Sequence, residues 1–177
     1  LIELTRSAGL TAGRGTSLHA ASGDWLTQGH ADRWIVLARA AAQLMPAPMR
    51  ERLAFAQPGD QLEVFTSEFP HLYPLAPTPM LEDIDRAAEL WERLGITTGG
   101  MLSAAGLAIL SDDAQLPPLD FPVAAPGVYI QPDLSVVVPG LLPVEDEALL
   151  ASLALPEQIG VASTLRLSEA SLSDAFD

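Results

Sequence analysis

The sequence predicts an α+β chain, and three observations carry that expectation. Trp34, Leu37, Ala38, Ala41, Leu44 and Met45 fall on one apolar stripe at helical spacing. Ile84, Ala87, Ala88, Trp91 and Leu94 form a second such stripe. Within 127–140, the β-forming runs Val128-Tyr129-Ile130 and Ser135-Val136-Val137-Val138 flank a Gln131-Pro132-Asp133 turn, which reads as a tight antiparallel hairpin. Helices early and paired strands late make the α+β class.

Each element follows from its own residues. Leu1, Leu4 and Ala8 have helical spacing, and Gly9 is placed to end that helix. Leu10-Thr11 is expected to pair with Ser17-Leu18-His19 across Gly13-Arg14-Gly15. A short helix around Trp25-Leu26 starts at Ser22 or Asp24. The first stripe predicts a helix over 31–45, with Asp32 suited to the positive end of its dipole. Pro46 and Pro48 end it, and a short helix over 49–56 follows. The proline- and aromatic-bearing stretch 58–77 reads as a connection with an extended piece near 62–65, and as the natural inter-domain boundary.

The second stripe predicts the best-defined helix. Thr78 is its expected N-cap and Pro79 its first helical residue; Glu82, Asp83 and Asp85 lie toward the positive dipole end, and Gly95 closes it. Ile96-Thr97-Thr98 and Met101-Leu102 form a short hairpin over Gly99-Gly100, and Ser103 caps a helix over 104–110. After a proline-rich linker at 116–126 comes the C-terminal hairpin. There Pro132 presets φ and Asp133 hydrogen-bonds the backbone ahead of it. Pro143 opens a helix over 144–155, a third strand covers 163–167, and Ser168 caps a last helix with Leu172 and Phe176 inward. The order is ββαβα.

Composition bounds the function. Apolar residues make up 49% and charged residues 18%, enough to bury a core. With no cysteine, neither a disulfide nor a thiolate metal site is possible. No apolar run reaches the ~18–20 residues of a membrane span, and no signal-peptide pattern is present, so the expected setting is cytoplasmic with no membrane partner. A chain that opens at Leu1 and closes inside a helical stretch reads as a fragment of a longer protein. The net charge is −14, with nine arginines and no lysine. Residues 1–59 hold six arginines against four acids, 60–93 two against eight, and 94–177 Arg166 alone against eleven. Phosphate binding needs cations, so DNA contact is expected, if anywhere, in 1–59.

The stretch R-S-A-G-L-T-A-G-R-G-T-S-L-H-A-A-S-G-D-W-L, residues 6–26, echoes E-R-L-G-I-T-T-G-G-M-L-S-A-A-G-L-A-I-L, residues 92–110. Each is helix end, strand, glycine turn, strand and small-residue helix, an order that resembles the end of a winged helix. The expected division is therefore 1–57 helical and winged-helix-like, 58–77 connection, 78–115 helix plus wing-like hairpin and helix, 116–126 linker, and 127–177 ββαβα domain.

No catalytic, cofactor or metal residue is predicted. Without lysine no G-x-x-x-x-G-K-[ST] loop exists, so Gly13-Arg14-Gly15 and Gly99-Gly100 read as hairpin tips. His19, His30 and His71 are not at ligand spacing. Glu145-Asp146-Glu147 and Glu82-Asp83-Asp85 read as first-turn acids, and Ser103, Ser168 and Ser171 as caps rather than nucleophiles. If 1–29 forms a wing, Arg14 sits at its tip, which makes Arg6, Arg14 and His19 the candidate DNA contacts. Gln131 and Asp133 have an adequate role as turn residues, or contact a partner protein or base edges from an exposed tip. The surrounding acids favour the protein.

V-Y-I-Q-P-D-L-S-V-V-V-P-G, a helix, then T-L-R-L-S-E-A-S-L-S-D-A-F-D resembles the helicase-associated domain of large bacterial proteins, which is similar to the N-terminal region of XPB-type DNA repair helicases. Gln131, Pro132, Asp133, Pro139, Gly140, Arg166 and Leu167 match that pattern; Thr164-Leu165 stands where Thr-Tyr is usual, and Ser168 replaces threonine. The segment L-G-I-T-T-G-G-M-L-S-A-A-G and the Trp25 to Trp34 region fit what precedes that domain. The resemblance implies a winged-helix-like region followed by a small α+β domain, linked to DNA repair or nucleic-acid remodelling, with Arg166 joining Gln131 and Asp133 as candidate partner contacts. The expectation is a non-catalytic accessory module that contacts a partner protein, other domains of its own chain, or weakly DNA. The alternative is a structural or oligomerisation domain.

Overall fold

The computed structural model describes residues 2–12, 17–19, 21–111, 115–160 and 162–176, with the backbone alone at 21 and 174–176. The chain is α+β and divides into two compact units, Leu1–Trp25 with Ala31–Leu119 and Leu26–His30 with Asp120–Asp177. The chain passes between the units at Trp25–Leu26, His30–Ala31 and Leu119–Asp120.

In chain order the elements up to Leu110 are α1 (Ile2–Ser7), β1 (Thr11–Ala12), β2 (Ser17–Leu18), α2 (Ala21–Leu26), α3 (His30–Leu44), α4 (Ala47–Leu53), α5 (Leu62–Leu72), α6 (Thr78–Leu94), β3 (Thr97–Thr98), β4 (Met101–Leu102) and α7 (Ala104–Leu110). The first unit's core joins Ala38, Ala41 and Met45 to Met49, Phe69, Ile84 and Trp91. Two indoles lock α3 to α6 reciprocally. Trp34 Nε1 donates to the Leu94 carbonyl at 2.7 Å, and Trp91 Nε1 to the Ala41 carbonyl at 3.1 Å. Both acceptors lie in last turns, where helix carbonyls lack intrahelical partners, so each tryptophan satisfies the end of the other's helix.

The sequence echo is a structural repeat. After α1, the Gly9 amide bonds the Arg6 carbonyl and the Leu10 amide the Thr5 carbonyl. After α6, the Gly95 amide bonds Glu92 and the Ile96 amide bonds Trp91, the same pair of bonds. Gly9 and Gly95 take φ of 70° and 73°, the left-handed closure that glycine favours. Antiparallel pairing follows in each copy, Thr11 opposite Leu18 and Thr97 opposite Leu102. The copies differ at their outer edges. Residues 59–62 run along β4, with Gly59 donating to the Leu102 carbonyl and Leu102 to that of Asp60, so Leu102 is buried while Leu18 is 77% exposed.

Five expectations are corrected here. The stretch 58–77 is no simple connection with an extended piece at 62–65: α5 occupies it, because Leu62, Phe65, Phe69 and Leu72 form a helical stripe that buries Leu62 and Phe69. Pro70, which argues against a helix from sequence, is tolerated near the end of α5. Pro48 does not end a helix but sits in the first turn of α4, where its missing N–H costs nothing. Helix α2 begins at Ala21, ahead of Ser22 and Asp24. Pro77, not Thr78, is the N-cap of α6, and no acid lies in its first turn. The dipole field fades within one turn, so Asp83 pairs instead with Arg86. The fifth concerns the C-terminal topology.

The second unit holds β5 (Tyr129–Ile130), β6 (Ser135–Val138), α8 (Val144–Leu153), β7 (Ala154–Gln158), β8 (Ser163–Leu167) and α9 (Glu169–Phe176). Its antiparallel sheet runs β5-β6-β8-β7. The order is thus ββαββα rather than ββαβα. Strand β7 follows α8 directly because Ala154 turns to extended backbone and pairs with Leu167. Pro156 lacks an amide but sits on an edge strand beside a register shift, where a proline is tolerated. Ser168 and Ser171 exchange capping bonds at 3.0 Å at the start of α9. The expected inward turn of Phe176 lies outside the described side chains.

Candidate functional site

Asp133 and Arg166, 33 residues apart, are brought together on one side of the sheet. Arg166 Nη1 donates to the Asp133 carbonyl at 3.0 Å, and its Nη2 lies 4.0 Å from the Asp133 carboxylate. Nε of Arg166 also bonds Glu157. The Asp133 carboxylate accepts from the Ser135 amide at 3.1 Å and its hydroxyl at 2.9 Å. These bonds, with Arg166 adding to them, hold its pKa below the ordinary carboxylate value. Arg166 therefore latches the β5–β6 turn to β7. Gln131 caps that turn through its backbone, donating to the Ser135 carbonyl and accepting from Leu134. Leu134 takes φ of 68°, a conformation that no residue pattern announced.

The candidate DNA contacts are Arg6, Arg14 and His19. Arg14 lies outside the described residues. His19 is exposed; its amide bonds Leu10 and its carbonyl accepts from Ser22. Arg6, in the last turn of α1, lines a cleft of about 580 Å³ with Arg86 and Arg93. Glu3, Asp83 and Glu89 line the same cleft, so three cations face three acids. Asp83 pairs with Arg86, and Glu89 lies 4.0 Å from Arg93. A charge-balanced cleft releases few counterions and is a poor phosphate track.

Two features escaped the sequence reading. Glu92 projects from α6 to the tip of the second hairpin, accepting from Thr97 Oγ1 at 2.7 Å and from the amides of Gly99 and Gly100. These bonds, Thr97's first, lower its pKa. Its signal was an acid three residues before a helix-closing glycine and a Gly-Gly turn. The other feature is an apolar groove of about 410 Å³ in the second unit, walled by Ile130, Leu149, Leu150, Leu153 and Leu172, with Asp146 as its one charged lining residue. No residue of α8 is buried, and Ile130 and Leu149 are 67% and 60% exposed. Leu149, Leu150 and Leu153 are its signal in the sequence, where the expectation is one helix over 144–155.

Among the described residues, no group of His, Asp or Glu is arranged to hold a metal, and no helix is long and apolar enough to cross a membrane. No family model, curated protein or solved structure matches the chain.

Proposed function

We propose that the chain is a non-catalytic accessory module of a helicase-related or DNA-repair protein, working in the cytoplasm by contact with a partner protein. The observation that carries this reading is the apolar groove of the second unit, with Leu149 and Ile130 of its walls exposed to solvent. Contiguous exposed apolar surface of this kind marks interaction sites. The helicase link rests on the resemblance of 127–177 alone. Protein is favoured over DNA because Arg6 faces a cleft whose charges cancel, and because Arg166, the one cation of 94–177, is engaged by Glu157 and Asp133.

Proximity labelling in cells tests the reading. A labelling enzyme fused to the chain should mark helicase or repair proteins, and the Leu149→Glu variant should lose that signal while expressing at the same level. Labelling without such proteins would overturn it. Self-association in sedimentation that Leu149→Glu abolishes would favour the oligomerisation alternative. DNA binding by anisotropy that survives physiological salt would return the function to nucleic acid.

A further inference from the structure

We infer that the groove of the second unit accepts a cationic amphipathic helix, a refinement that rests on the protein-contact reading above. Its walls are made mostly by side chains of α8 and α9, with Gly127, Val128 and Ile130 at the edge strand β5 closing one side. Leu149, Leu150 and Leu153 on α8 face Leu172 of α9 and Ile130 of β5 across a space of about 410 Å³. Leucine ridges at i, i+1 and i+4 on α8 match a facing helix that presents apolar residues at i, i+3 or i+4, and i+7.

Charge selects the sign of that helix. Residues 120–177 contain nine acids and one cation, Arg166. Arg166 is engaged by Glu157 and Asp133, and Asp146 lines the groove with exposed Glu145 beside it in the first turn of α8. An acidic helix would meet like charge at the rim, whereas lysines or arginines flanking an apolar face would meet Asp146 and Glu145. Partner specificity here is leucine contact inside and opposite charge around it.

The test uses the full chain and three labelled peptides of about 14 residues, long enough for an induced helix. The first is a leucine/lysine sequence with leucines at 3–4 spacing, the second the same composition scrambled to remove the apolar face, and the third a leucine/glutamate version of the first. Anisotropy should show binding of the first alone, weakening as salt rises and by about tenfold or more in Leu149→Glu. Ile130→Glu, at another exposed wall position, should do the same, so a folding defect in one variant does not decide the outcome. Equal binding of the scrambled peptide would reduce the effect to attraction by a chain of charge −14 and overturn the inference. Equal binding of the glutamate peptide, or indifference to both variants, would overturn it as well. So would wild-type dimers that Leu149→Glu dissolves, since a second copy would then be the occupant. Failure of all three peptides while Leu149→Glu still abolishes labelling of repair proteins would overturn the cationic helix and leave the protein-contact reading standing.

Discussion

Trp91, Phe69 and Met45 of the first unit are buried to within 1% exposure, whereas Ile130, Leu149 and Leu155 of the second are each more than half exposed. Among the described residues, seventeen apolar residues are buried in the first unit and only Val136, Val138, Leu142 and Ala154 in the second. Size accounts for part of this, because a smaller unit buries less of its surface. Arrangement accounts for the rest. Exposed apolar side chains of the first unit, such as Phe55 and Leu75, lie apart in sequence, while two of those of the second, Ile130 and Leu149, meet at one groove. Both units hold a hairpin tip with a carboxylate, Glu92 in one and Asp133 in the other. Local turn fixation is common to both; a closed core belongs to the first.

The largest expected effect that would break this comparison is at Trp91. Trp91→Ala removes the biggest buried side chain and leaves the Ala41 carbonyl without its indole partner. It should destabilise the first unit by ~3–5 kcal/mol in urea denaturation. All three tryptophans lie in that unit, so their fluorescence reports it alone. A loss below ~1 kcal/mol would mean that the core is not close-packed.

Gly106→Ala comes next. A Cβ there would sit 2.3 Å from the Ile96 carbonyl oxygen, a backbone atom that cannot swing aside. Overpacking should cost ~1–3 kcal/mol by the same measurement. An unchanged midpoint would show that α7 does not press on the second hairpin.

Acid sharpens the comparison at smaller amplitude. Glu92 and Asp133 both have folded-state pKa values below their unfolded ones, so their stabilisation is complete above the unfolded value and fades as pH falls through the folded one. The amides of Gly99 and Gly100 should lose exchange protection over that range, and Glu92→Gln should flatten the dependence in the first unit only. Asp133→Asn should flatten it for the Ser135 amide only. A crossed response, with Glu92→Gln altering the second hairpin, would contradict the separate fixation of the two tips.

The smallest effect is expected at Leu149. Leu149→Ala should change the stability of the second unit by no more than ~0.5 kcal/mol, read from exchange protection of the β6 amides, because the side chain is mostly in solvent. A loss near that of a core leucine would mean that the groove is part of a core.

Much of the fold was legible because its signals are local. The stripe on α6, the glycine closures at Gly9 and Gly95, the Gly99-Gly100 turn and the Ser103 and Ser168 caps each depend on a few neighbouring residues. The failures needed long-range information. Pairing with β8 decides that residues 154–158 extend, and it overrides the helical look of 149–155. Burial against the first unit's core makes α5 helical despite Pro70. Of the site, Asp133 and Arg166 were named, but their mutual latch was hidden by 33 residues of chain. The groove was invisible because periodicity reports which residues are apolar, not which remain uncovered.

The most direct measurement is hydrogen–deuterium exchange of the full chain with and without the leucine/lysine peptide. Added protection confined to α8, α9 and β5, with α3 and α6 unchanged, is the predicted result. Protection appearing on α1 and the first hairpin instead, or nowhere while the peptide is bound, would contradict the claim that the second unit is the docking face.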